Sequence, residues 1–174
     1  VAILLSVLLL FSMATSAFAW SWRHSSISSL TCSYQHRSSS TTTAVRNAFN
    51  QAANDWGNAV SEVDFYVSSS SANEVYAVHI VGSLERGAMD LFGPSYPGTG
   101  TYARDYYTNF YAYINTAFSQ GTNAYRSTAN HEFGHVLGLD HVSGTAIMNG
   151  NRNVESIYTP RSDDRNGVET IWGL

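Results

Sequence analysis

The chain has 174 residues, 44 % of them hydrophobic and only 13 % charged, with a formal net charge of −4 at pH 7. That length suits one domain around a single core, and an acidic balance without any basic run argues against nucleic acid or anionic membrane as a partner. The one cysteine, Cys32, excludes an internal disulfide, so stability must come from the core and from any bound ions.

Val1 to Phe11 is almost wholly apolar, and Ser16-Ala17-Phe18-Ala19 supplies the small residues of an A-x-A cleavage site. Residues 1–19 are therefore expected to be a signal peptide whose own start lies upstream, because Val1 opens the run without a basic segment. Residues 20–174 are expected to form a single secreted domain. The apolar run is too short to favour a membrane anchor.

Leu30 to Tyr34 predicts a first strand, and the polar stretch Ser38 to Thr43 ends in good N-cap residues. A helix follows, because Val45, Ala48, Phe49, Ala52, Ala53 and Trp56 recur at the spacing of one buried face, with Gly57 as its expected stop. Val63, Phe65 and Val67 alternate as in a half-buried strand; Ser68 to Ser71 is a turn, and Val75 to Val81 a more continuous strand ending at Gly82. The span Gly87 to Thr101 holds four glycines with Pro94 and Pro97, and reads as a long surface loop. Tyr102 to Tyr107 and Phe110 to Ile114 read as two aromatic-rich strands, followed by a helix from about Tyr125 to Leu139. Ser162 is placed to cap a last helix, whose first turn carries Asp163 and Asp164 at the positive end of the helix dipole. Its buried stripe is Val168, Ile171 and Trp172. This order predicts an α+β fold: a twisted, mainly parallel or mixed sheet with an active-site helix packed on it.

The chemistry sits in His131-Glu132-Phe133-Gly134-His135-Val136-Leu137-Gly138-Leu139-Asp140-His141. On a helix, His131 and His135 stand one turn apart on one face, so both imidazoles can point at one metal ion, with Glu132 beside them as a general base. His141 lies too far round to join them if the helix continues. Gly138 resolves this, since glycine takes the left-handed conformation that ends a helix and turns the chain back. Three histidine ligands leave a fourth position open, which is the catalytic arrangement of zinc; a structural site closes with four ligands, often cysteines. A rival arrangement takes its third ligand from Glu155 and leaves Gly138 and His141 without a role.

The undecapeptide resembles the zinc signature of the metzincin peptidases, and Ala146-Ile147-Met148 sits where their Met-turn would lie. Within that clan the chain most resembles the matrixins, over roughly Thr41 to the end. The supporting residues are Phe133-Gly134 inside the motif, Leu139-Asp140 before the third histidine, Asp163 to Val168 running on to Trp172-Gly173, and Ile114-Asn115-Thr116 ahead of the helix. The resemblance implies one catalytic Zn2+ held by His131, His135 and His141, Glu132 as general base, and Met148 as a hydrophobic floor beneath the metal. It further implies a monomeric secreted endopeptidase acting on protein or peptide substrates laid along an edge strand. The alternative is a secreted, non-catalytic zinc-containing module of the same fold.

The sequence also departs from that family. Val142 stands where serine is usual, and Asn149-Gly150-Asn151 replaces the usual Tyr-Pro after Met148, so specificity does not carry over. Cys32, in Leu30-Thr31-Cys32-Ser33, lacks the Pro-Arg-Cys-Gly surroundings of a latency cysteine and reads as a small buried residue. His79 is a lone histidine without a second ligand nearby. Asp90 and Asp105 are possible Ca2+ ligands, though solvated carboxylates are commoner.

Overall fold

The computed structural model describes residues 20–118 and 121–174, so the signal peptide expected over 1–19 lies outside the described residues. Three short strands, Ser21–Trp22 (β1), Ser25–Ile27 (β2) and Thr31–His36 (β3), lead to helix α1 (Thr43–Ala59). The chain returns through Asp64–Val67 (β4) and Glu74–Val78 (β5), then forms two long strands, Gly87–Pro97 (β6) and Asp105–Asn115 (β7). Helix α2 (Thr122–Val136), a two-residue strand Leu139–Asp140 (β8) and helix α3 (Ser162–Trp172) complete it.

Among the described residues the main sheet has six strands. β4, β3, β5 and β7 run parallel to one another, and β2 extends the parallel pairing along the first residues of β7. β6 runs antiparallel along the opposite edge of β7. The sheet is thus mainly parallel with one antiparallel edge strand, as the element order predicts. None of the described helices is long and apolar enough to cross a membrane.

Two expectations fail at β6 and β7. The glycine- and proline-rich span is a strand from Gly87 to Pro97, not a loop, with a register shift between Phe92 and Ser95. Gly93 takes φ +88° at that shift, so Gly93-Pro94 forms a bulge, the place where an edge strand tolerates both residues. The strands expected at Tyr102–Tyr107 and Phe110–Ile114 are one, which begins only at Asp105, because β6 pairs with residues on both sides of Thr108 and holds the backbone extended there. Smaller differences have similar causes. α1 starts at its threonine cap, where Thr42 Oγ1 accepts from Val45 N at 3.3 Å, but it runs past Gly57 to Ala59. β5 stops at Val78, whose carbonyl is taken by Thr116 N, and the chain beyond leaves the sheet with Val81 80 % exposed.

α1 and α2 pack against each other and the sheet, and Phe133 is the pivot of the core. Its ring stacks on Phe65 at 4.4 Å between centroids and meets Phe49, Tyr34 and Phe110 at 5.3–6.0 Å. Phe133 lies two residues from both His131 and His135, about 200° round the helix, so burying it aims the two histidines away from the core. Removing a ring so fully enclosed costs about 3–5 kcal/mol.

Candidate metal centre and cleft

α2 ends where Gly138 enters the left-handed region at φ +99°, three residues short of the expected Leu139. The returning strand β8 pairs with β1, Ser21 opposite Asp140 and Trp22 opposite Leu139, and brings His141 back over the helix. His141 Nε2 lies 3.0 Å from His131 Nε2 and 3.2 Å from His135 Nε2. The three donor nitrogens fall within 4.8 Å of one another, and form the only group of three or more potential ligands among the described residues.

The donor chemistry fits a zinc ion. His131 Nδ1 faces the Ile147 carbonyl at 2.8 Å and His135 Nδ1 faces that of Leu139 at 2.8 Å, which places the proton on each Nδ1 and the lone pair on each Nε2. Burial first, with nearby arginine charge behind it, holds His131 well below the usual imidazole range; burial also takes His135 down to about 3. Both rings are therefore neutral. Lone pairs converging at such distances repel one another unless a cation lies between them, and tetrahedral Zn–N bonds of about 2.0–2.1 Å give a comparable separation.

Glu132 is 3 % exposed, and burial pushes its carboxyl up to about 8, with Arg152 and Arg23 pulling the other way. It reaches the start of β6: a Cβ built on Gly87 would lie 2.8 Å from Glu132 Oε1. Gly87 thus keeps the strand close above the carboxylate. Met148, 1 % exposed, lies under the same turn of helix, its sulfur so close to Gly134 that a Cβ there would collide with it. Gly134, having no Cβ, is what allows Met148 to lie this close beneath the helix.

Two residues that matter here are missed by sequence reading. Asp164, read only as a dipole partner, sends its carboxylate across to the turn under the metal site and accepts from Ile147 N at 2.8 Å, Met148 N at 3.1 Å and Arg161 N at 2.7 Å. A carboxylate at the third position of a helix is a recognised cap, but its bonds to residues 147 and 148 are long-range. Arg152, in the loop after Met148, donates through Nε to Ser127 Oγ and through Nη2 to the Ser127 carbonyl, while Nη1 lies 3.1 Å from His131 Nδ1. No sequence pattern marks it.

Other expectations resolve by position. Glu155 is exposed, its carboxylate beside Gly121 at the far end of α2, ten residues before His131, so it does not join the cluster. Cys32 is buried on β3, where Asn73 Nδ2 donates to its sulfur at 3.0 Å, and burial raises its thiol to about 11. Asp90 and Asp105 both stand exposed on strands, Asp90 within the span expected to be a loop, and His79 is exposed just beyond β5.

The histidines, Glu132, the start of β6 and Arg152 line a cleft of about 390 Å³. A mainly parallel sheet with an antiparallel edge strand above a helix carrying three convergent histidines has the architecture of a zinc metalloprotease-type domain. The chain belongs to the matrixin family, whose family model matches residues 21–173. No curated protein matches it in sequence. Among solved structures it is similar to a chain of the GM1-bound form of the ECX AB5 holotoxin, with a TM-score of 0.56 and 15 % identity over 88 % of this chain and 84 % of that one. It is also similar to myroilysin, with a TM-score of 0.52 and 14 % identity over 83 % of this chain and 93 % of that one. At such identities the likeness is one of fold.

Proposed function

We propose that the chain is a secreted zinc endopeptidase in which His131, His135 and His141 hold one ion and Glu132 is the general base. The observation that carries this reading is the convergence of three imidazole nitrogens, two with their tautomers set by backbone carbonyls, beside a buried carboxylate in an open cleft. When bound, zinc supplies Lewis acidity towards a carbonyl oxygen and towards water. Glu132 takes the proton of the attacking water and then delivers it to the leaving amine, serving as base and acid in turn.

β6 supplies the surface for substrate. Its partner is β7 alone among the described residues, so its other edge is open to an extended peptide, which gains backbone hydrogen bonds without a demand on sequence. Gly87, Ala88 and Met89 of β6 line the cleft, so a peptide added there passes over Glu132.

Casein hydrolysis tests the assignment. The purified chain is expected to cleave casein, to stop on treatment with a chelator, and to recover with added zinc. Stoichiometric zinc without hydrolysis would refute the enzyme reading in favour of a non-catalytic module.

A further inference from the structure

The chain is acidic overall, yet three of its nine basic residues, all nine of them arginines, face this one cleft: Arg23, Arg86 and Arg152. The acidic groups beside them are Glu85 and Glu132, so the cleft wall carries a net positive charge on a protein whose total is −4. None of the three arginines has a carboxylate within 4.0 Å among the described residues; the ion pairs present belong to Arg37, Arg126 and Arg165. Arg86 lies over the Phe118 ring at 4.9 Å.

Arg152 is the most fixed of the three. Its Nε and Nη2 are anchored on Ser127, and Nη1 donates to the Asn149 carbonyl at 3.1 Å. The second Nη1 proton points at His131 Nδ1, which itself carries a proton donated to Ile147, so it meets no acceptor there. One Nη2 proton is also left over, because a guanidinium has five and Nη2 has a single protein acceptor. A half-buried cation held rigidly, with an Nη2 proton to spare and no carboxylate in direct contact, is preorganised for a carboxylate.

We infer that the cleft selects peptides bearing an Asp or Glu side chain next to the bond cleaved, with Arg152 as the anchor and Arg23 and Arg86 steering the acid inwards. This rests on the peptidase reading above and adds the substrate class.

The test uses a peptide that the zinc-loaded chain cleaves, remade with Glu, Gln or Lys in turn at each position flanking the cleaved bond. At one position Glu is expected to exceed Gln by about 10- to 100-fold in kcat/KM, the range of a hydrogen bond to a charged partner, with Lys slowest. The Glu advantage should shrink as salt is raised, since steering charges are screened. Arg152→Gln is expected to bring the Glu/Gln ratio to about 1, a result that a general loss of packing would not produce. Should that variant fold poorly, Arg23→Gln combined with Arg86→Gln reports instead, by lowering the same ratio severalfold. A Glu/Gln ratio near 1 at every position, or faster cleavage with Lys, overturns this inference while leaving the peptidase reading intact. Absence of hydrolysis of casein and of every peptide overturns both.

Discussion

Asp164→Ala probes how the turn under the metal site is held. The carboxylate is 1 % exposed and accepts three backbone amides, two from Ile147 and Met148 and one from Arg161 at the start of α3. Alanine leaves those amides without an acceptor, at about 1–3 kcal/mol each if they stay buried. Part of that is recovered, because burial pushes the Asp164 carboxyl above its ordinary value even against three amide donors, so the buried charge itself carries a cost. Partial rehydration of the freed amides recovers more. The net expected loss is about 3–5 kcal/mol, a large part of a typical domain's stability of about 5–15 kcal/mol. Asp164→Asn separates the contributions. Oδ2 serves Ile147 and Arg161 while Oδ1 serves Met148, so an amide oxygen in the Oδ2 place keeps two bonds and sets an NH2 against Met148 N. Asn is expected to cost about 1–3 kcal/mol and to weaken zinc binding through Met148 more than it weakens the fold. Urea unfolding with and without zinc, together with zinc titration, measures both quantities. An Asp164→Ala variant within about 1 kcal/mol of the parent, or an Asn variant as damaged as Ala, would refute the claim that these three bonds hold the turn.

Glu132→Ala should retain stoichiometric zinc by metal analysis and lose nearly all peptidase activity; cleavage at the parent rate would remove Glu132 from the mechanism. His141→Ala should lose zinc under dialysis that Glu155→Ala survives, and the reverse pattern would restore the rival ligand set. Cys32 gives an alkaline signature. Its folded thiol, raised to about 11, binds a proton more tightly than the unfolded one at 9.0, so its contribution is present below pH 9 and is lost as pH rises through 11. Between those pH values the parent should lose about 2–3 kcal/mol more stability than Cys32→Ala, measured by denaturant unfolding at each pH; parallel losses would contradict the buried thiol.

Much of the site was legible because its determinants are local. Helical spacing aligns His131 with His135, and the left-handed requirement at Gly138 brings His141 back, whatever surrounds them. The six buried residues of α1 were likewise readable from periodicity alone. β6 was not, because glycine and proline signal a loop locally, and only pairing with β7 supplies the hydrogen bonds that keep Gly87–Pro97 extended around its bulge. The division of β7 into two strands failed for the same reason.

By itself, then, the sequence determined what one turn of helix and one glycine suffice to set: the alignment of His131 with His135, Glu132 beside them, and the return of His141 to form a group of three histidines that could hold a metal. The tertiary structure alone decided what depends on distant segments meeting. It placed the open edge of β6 over Glu132, pinned residues 147 and 148 to a carboxylate from α3, and set Arg152 against the back of His131. Those contacts join residues up to 45 positions apart, as Gly87 is from Glu132. No local period encodes such a meeting, because it is selected by the packing of the whole domain.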